Sequence, residues 1–264
     1  MNPLLTGPCL GVFDSGVGGL SVLRALRREL PSARLLYLAD SGHAPYGERD
    51  EAFVIERSRC AAAFLRAQGA QLMVVACNTA TAAAVRALRD AHPGWPLVGI
   101  EPGIKPAVAL THNSQVGVMA TQGTLVSAKF RELALTHGGG ATLHLQACTG
   151  LAQAIEGGDA ALMQALVAQH TAPLRAAGCD VVALGCTHYP FALPLIAAAL
   201  GPQVQLVDTA DAVARHTARL AAGLPTQARA GDTLLWSSGD PAALEAFARR
   251  WLDVPLSVRP WPQA

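Results

Sequence analysis

From Cys9 to the end of the chain, short runs of β-branched and apolar residues alternate with amphipathic stretches, and this alternation restricts the fold more tightly than any other feature. Strands are expected over residues 9–13, 35–39, 72–76, 97–100, 116–120, 142–146, 181–184, 204–207, 233–236 and 256–258. Helices are expected over 20–30, 50–67, 80–91, 125–136, 159–177, 193–200, 210–222 and 242–251. Pro31 stops the first helix. Alternation of this kind makes parallel sheets with helices on their faces. The expected fold is α/β: two pseudo-symmetric parallel-sheet domains with the active site in the cleft between them. One domain takes residues 1–98 plus 208–264 and the other residues 99–207. The alternative is one continuous sheet in which the likeness of the halves is chance.

Two of the apolar runs end alike. Leu72-Met73-Val74-Val75-Ala76 stops at Cys77-Asn78-Thr79, and Val181-Val182-Ala183-Leu184-Gly185 stops at Cys186-Thr187-His188. Continuous apolar runs of this length are what strands buried on both faces look like. The C-terminal ends of such strands are where open α/β sheets hold ligands. Two thiols in matching settings suggest opposed sulfurs on either side of one substrate atom. A cysteine without a partner is usually a small core hydrophobe, and Cys9, Cys60, Cys148 and Cys179 fit that description. Cys77 and Cys186 do not, because hydrogen-bonding residues follow each of them.

Composition removes several classes of function. With 264 residues, 51% of them hydrophobic, the chain can bury a large core as one big domain or two small ones. The formal net charge is +1, and no Lys/Arg cluster marks a nucleic-acid surface. No apolar run approaches a membrane span, and residues 1–8 are too short and too polar for a secretory signal. A cytoplasmic protein with reduced thiols is expected, since the six cysteines lack both disulfide-framework and zinc-ribbon spacing.

Other segments carry two readings each. Asp14-Ser15-Gly16-Val17-Gly18-Gly19 is glycine-rich at a strand-to-helix turn, yet fits neither the dinucleotide nor the P-loop pattern. Its glycines let the backbone approach a small ligand. Asp14 either aims its carboxylate at that ligand or caps the following helix, and both roles can coexist. The loop 40–47, with Tyr46 and Gly47, is a pocket wall or an ordinary turn. Cys77, Cys186 and His188 together make a Cys₂His zinc set, so a zinc hydrolase stays open at this point.

The strings Gly11-Val12-Phe13-Asp14-Ser15-Gly16-Val17-Gly18-Gly19, Pro45-Tyr46-Gly47, Cys77-Asn78-Thr79-Ala80 and Gly185-Cys186-Thr187-His188-Tyr189-Pro190 closely resemble the glutamate racemase family. Ala120-Thr121-Gln122-Gly123-Thr124 is similar to its Ala-Thr-x-x-Thr substrate loop. The likeness runs in order from Gly11 to about Asp208. It departs at Cys148-Thr149, where the family usually has Cys-Pro; Glu156 still aligns with the family's acidic residue. The resemblance implies a cofactor-independent and metal-free racemase interconverting L- and D-glutamate, which supplies D-glutamate for peptidoglycan. It implies that Cys186 attacks the L-enantiomer and Cys77 the D-enantiomer, with Asp14 beside Cys77 and His188, with Glu156, beside Cys186. Substrate contacts are expected from Asp14, Ser15, Tyr46, Gly47, Asn78, Thr79, Thr121, Thr124, Thr187 and His188. A homodimer is common in the family, whereas nucleic acid and membrane are not expected partners. Some members need a cell-wall precursor as activator, a trait associated with an N-terminal extension. Only eight residues precede the first expected strand, so such activation is not expected here. The rivals are a racemase of the same superfamily acting on aspartate or another amino acid, the zinc hydrolase, and a non-catalytic amino-acid-binding module.

Overall fold

The computed structural model describes residues 7–226, 231–252 and 257–262. Leu256, where the last expected strand begins, and residues 1–6 lie outside these. The chain runs through β1 (Cys9–Asp14), α1 (Leu20–Glu29), β2 (Arg34–Ala39), α2 (Glu51–Ala67), β3 (Leu72–Val75), α3 (Asn78–Ala91) and β4 (Leu97–Gly99). It continues through α4 (Ile104–Leu110), β5 (Gln115–Ala120), α5 (Gln122–Val126), α6 (Ala128–His137), β6 (Thr142–Ala147), α7 (Leu151–Gly157), α8 (Ala160–Ala176), β7 (Val181–Gly185), α9 (Leu193–Leu200) and β8 (Gln205–Val207). It ends with α10 (Ala210–Ala221), β9 (Thr233–Ser237), α11 (Pro241–Ala248) and β10 (Ser257–Pro260). Two compact units result: Met1–Ile100 with Ala210–Ala264, and Glu101–Thr209. Among the described residues, no helix is long and apolar enough to cross a membrane.

Each unit holds one sheet, ordered β10-β9-β2-β1-β3-β4 in the first and β6-β5-β7-β8 in the second. Every strand pair is parallel. The order β2-β1-β3-β4 is repeated, element for element, as β6-β5-β7-β8. Chain direction across the sheet reverses between β1 and β3, and again between β5 and β7. Such a reversal opens a crevice at the strands' C-terminal ends, where ligands of open α/β sheets bind. Cys77 follows β3 and Cys186 follows β7, so the repeat gives the two cysteines equivalent positions.

β1, β3 and β7 are buried along their whole length, which is why they read as unbroken apolar runs. The edge strand β6 is exposed at Thr142 and Leu145 and nowhere fully buried. Three helical features depart from expectation. Residues 125–136 divide into α5 and α6 because the Ser127 hydroxyl accepts from Phe130 N (3.0 Å) and starts a new helix. α4 occupies a stretch that Pro102, Gly103 and Pro106 make look like loop; Pro106 lies in the first turn, where a missing N–H costs no helical hydrogen bond. α7 is short and bracketed by left-handed Gly150 (φ 80°) and Gly158 (φ 70°), a length at which periodicity gives little signal.

Candidate active site

In the first unit, α3 begins directly at Asn78, two residues earlier than the sequence pattern suggests, with Cys77 as its N-cap. Ala80 N–H donates to Cys77 Sγ (3.4 Å), so the sulfur faces N–H groups at the positive end of a helix, where negative charge is stabilised. Ser15 Oγ lies 3.4 Å from the same sulfur, and either atom can donate. β1 and β3 are hydrogen-bonded neighbours, so the loop after one necessarily meets the residue after the other. Asn78, Thr79 and Ser15 are all buried. Neither amide atom of Asn78 has a hydrogen-bond partner among the described residues, a state that costs about 1–3 kcal/mol when nothing answers it.

Asp14 is completely buried, and it does not cap α1. Gly19 is the N-cap, with no side-chain bond, and Asp14 Oδ1 instead accepts from Gly16 N–H (2.7 Å). Tyr37 Oη donates to Gly16 O (2.7 Å), so the turn is braced twice. Gly19 has ordinary helical dihedrals, and closeness alone excludes a larger residue: a Cβ there would sit 2.6 Å from Asp14 Cβ. Gly19→Ala is therefore expected to lower stability by about 1–3 kcal/mol through overpacking and to displace Asp14. Urea denaturation, with activity read in parallel, checks it.

Tyr46 lies in the core with Phe13 and Cys77, and its hydroxyl donates to Asp40 Oδ2 (2.5 Å). Burial, then the adjacent Asp40 charge, push its pKa up, so it stays a phenol. That hydroxyl is committed, and the next residue, Gly47, is half-buried. Asp40 is itself completely buried. Burial works to raise its pKa, but hydrogen bonds from Arg57, Ser238, Tyr46 and His43 outweigh this and hold the carboxyl below its ordinary value. The sequence displays Asp40 only as the start of a loop, and two of its partners, Arg57 and Ser238, lie 17 and 198 residues away.

The second unit builds a relay on Cys186. His188 Nδ1 lies 3.6 Å from Cys186 Sγ, and His188 Nε2 lies 2.6 Å from Glu156 Oε1. Burial works to lower the His188 pKa. The Cys186 sulfur and the Glu156 carboxylate, hydrogen-bonded on its two sides, reverse this and raise it well above the ordinary value. Glu156 is carried by α7, a helix the sequence pattern does not display. Cys148-Thr149 leaves that helix in place: His170 Nε2–H donates to Thr149 O (3.1 Å), with Gln146 Nε2 donating to its Nδ1 (3.3 Å). A histidine thus anchors the loop where the family usually has proline.

Tyr189 is fully buried against the same region. Burial and the neighbouring Cys186 and Cys148 sulfurs raise its pKa well above 10. Burial pushes the Cys148 thiol up to about 12 and the Cys179 thiol up to about 11, as expected of inert core sulfurs. Cys60 is only partly buried. Thr121 caps α5, accepting from Thr124 N–H (3.2 Å) and donating to Thr124 Oγ1 (2.9 Å). Thr187 is buried beside Cys186 in sequence. Asp14, Ser15, Cys77, Asn78, Thr79, Tyr46 and Gly47 thus belong to the first unit, and Thr121, Thr124, Glu156, Cys186, Thr187 and His188 to the second. Among the described residues, no group of three or more His, Cys, Asp or Glu side chains is placed to hold a metal ion.

Comparison with known proteins agrees with the resemblance. The family model described as Asp/Glu/Hydantoin racemase matches residues 19–217. A glutamate racemase of Pseudomonas putida (strain W619) is 51% identical over 240 residues, covering 89% of this chain and 91% of that protein. The crystal structure of a glutamate racemase isoform from Bacillus anthracis superposes with a TM-score of 0.86 at 31% identity, covering 97% of each chain. The Escherichia coli glutamate racemase, solved with L-glutamate and the activator UDP-MurNAc-ala, gives a TM-score of 0.80 at 30% identity, over 96% of this chain and 98% of that one.

Proposed function

The chain belongs to the Asp/Glu/hydantoin racemase family, and on that premise we propose that it interconverts L- and D-glutamate by a cofactor-independent two-thiol proton transfer, supplying D-glutamate for peptidoglycan. The observation that carries the reading is the equivalence of Cys77 and Cys186. Each stands at the end of the strand beyond its sheet's reversal, and each has a hydrogen-bonding side chain at its sulfur.

Inversion at an α-carbon without a cofactor needs one base to remove a proton and an acid on the opposite face to return one. From L-glutamate, the Cys186 thiolate takes the α-proton and the Cys77 thiol delivers its own. From D-glutamate the roles exchange. An ordinary thiol, with a pKa of about 8.5, is mostly protonated at neutral pH. A His188 held as imidazolium supports the Cys186 thiolate by its charge, and Glu156 in turn supports the imidazolium. Asp14 takes the corresponding place near Cys77. A carboxylate there disfavours a neighbouring thiolate by like charge, so it acts by orienting groups or by accepting a proton. Ser15, Asn78, Thr79 and Thr187 hold the α-carboxylate and amino group, which gives the Asn78 amide its missing partners. The Tyr46–Gly47 backbone, Thr121 and Thr124 hold the side-chain carboxylate. Fixed donors around the α-carboxylate stabilise the carbanion-like state electrostatically.

On this reading the enzyme works in the cytoplasm as a homodimer. None of its six cysteines is in a disulfide, as a reducing compartment maintains, and two-fold dimers are the commonest soluble assembly. The test is incubation of the metal-stripped protein with L-glutamate in D₂O without cofactor. Optical activity should decay to zero as the α-position becomes deuterated. Aspartate should be left untouched. Neither signal moving with glutamate would overturn the reading, and turnover of aspartate alone would transfer it to the aspartate racemases.

A further inference from the structure

Asp40 ties its own loop to three parts of the first unit: the end of β1, α2 and the residue after β9. Its Oδ2 accepts from Tyr46 Oη (2.5 Å) and Arg57 Nε (2.8 Å). Its Oδ1 accepts from Ser238 Oγ (2.6 Å) and Arg57 Nη2 (2.9 Å), and lies 2.9 Å from His43 Nδ1. Its own N–H donates to Asp14 O (2.9 Å). Ser238 Oγ also accepts from Gly42 N–H (3.0 Å), so the residue after β9 grips the loop at a second point. The carboxylate is completely shielded from solvent.

Stability alone does not explain the arrangement. A buried ion pair of this kind is often replaceable by apolar residues of similar volume without loss, because desolvation offsets the attraction. What it supplies that an apolar cluster does not is direction: five side-chain bonds fix one carboxylate, and through it the loop that carries Tyr46 and Gly47. That loop leaves the C-terminal end of β2, at the sheet's ligand-binding edge.

We propose that Asp40 is a positioning residue for the reaction: its carboxylate, braced by Arg57 and Ser238, holds the Tyr46–Gly47 loop at the reach that admits the side-chain carboxylate of a five-carbon amino diacid. The inference rests on the racemase reading of that loop. A loop held at one reach improves binding of ground state and transition state alike, so its loosening shows in KM and not in kcat.

Asp40→Asn keeps the volume and removes the charge; Ser238→Ala removes two bonds, to Asp40 Oδ1 and from Gly42 N–H, and leaves the ion pair. Asp40→Asn is expected to raise KM for L-glutamate about tenfold, with kcat within about threefold. Ser238→Ala should raise it about two- to threefold, and in the double variant the two effects should combine to less than their product, because both variants lose the Asp40–Ser238 bond. Amides of residues 41–47 should exchange with deuterium faster in both variants, while those of β1 and β3 keep their wild-type protection. If Asp40→Asn does not fold, Ser238→Ala carries the test with the same readouts. An unchanged KM, or a collapse of kcat at constant KM, overturns the proposal, as does unchanged exchange over 41–47. A wild-type protein inert towards glutamate overturns the racemase reading instead, and faster loop exchange in the variants would then separate that failure from a failure of the clamp.

Discussion

Cys186→Ser and Cys77→Ser should each abolish racemisation while leaving opposite halves of the reaction alive. An alcohol is a far weaker acid than a thiol, so serine supplies neither the resting base nor a ready proton. Each variant should therefore lose about 10³-fold or more in kcat, of order 4 kcal/mol of barrier. Because the equilibrium constant of racemisation is unity, kcat/KM must fall equally in the two directions. That equality hides which sulfur serves which enantiomer. Isotope exchange reveals it. In D₂O, Cys186→Ser retains Cys77, which should remove the α-proton of D-glutamate and return a deuteron to the same face. Cys77→Ser should do the same to L-glutamate. Each variant should thus deuterate one enantiomer without inverting it, measured by NMR with chiral analysis of the product. Cys60→Ser and Cys179→Ser, outside the proposed chemistry, should turn over at the wild-type rate. Wild-type racemisation by either Cys77→Ser or Cys186→Ser would sink the two-thiol mechanism. Both variants should keep the wild-type far-UV spectrum, since serine fills nearly the same space as cysteine at each strand end.

The parts of this site that the sequence displays are those whose signal is local. Val74-Val75-Ala76-Cys77 and Ala183-Leu184-Gly185-Cys186 are legible because a strand buried on both faces must be apolar at every position, and a strand's end is marked where polarity returns. The parallel α/β class followed from the same alternation. What stayed hidden depends on how the folded chain directs each side chain. Asp14 has the composition of an N-cap, yet Gly19 takes that position and the carboxylate turns back onto Gly16. Tyr46 reads as a pocket wall, but Asp40, which starts the loop, takes up its hydroxyl. The helix carrying Glu156 is too short for periodicity to declare, and its limits are set by two left-handed glycines. The Cys148-Thr149 departure weakens the alignment at Glu156, but His170, twenty-one residues further on, secures the same loop. The repeat of sheet order is likewise invisible in any single segment, since it is a property of pairing.

His188 is where the largest loss short of removing a thiol is expected. His188→Asn keeps a polar group near Cys186 but cannot carry a charge, so the thiolate loses the imidazolium beside it. General acid–base partners of this kind are worth about 10²–10⁴-fold, and a fall in kcat/KM of that size is expected, equal in both directions. A structural role would lower activity too, so the deciding readout is the sulfur itself. Alkylation of Cys186 by iodoacetamide, followed by peptide mass spectrometry in a Cys77→Ser background, reports the thiolate fraction against pH. Cys186 and Glu156 raise the pKa of His188 well above its ordinary value, so the histidine can hold a positive charge 3.6 Å from the sulfur. Without it, alkylation of Cys186 at neutral pH should slow, because the sulfur loses the opposite charge beside it. Glu156→Gln, which can keep the hydrogen bond but removes the charge, should slow the alkylation by less. Direction of proton flow adds an independent check. Since His188 serves only the sulfur that attacks L-glutamate, slowing that step should raise the primary deuterium isotope effect on L-glutamate and leave that on D-glutamate nearer the wild-type value. An alkylation profile unmoved by His188→Asn would mean that the 3.6 Å contact orients the sulfur without charging it, and Cys186 would then need another source for its thiolate.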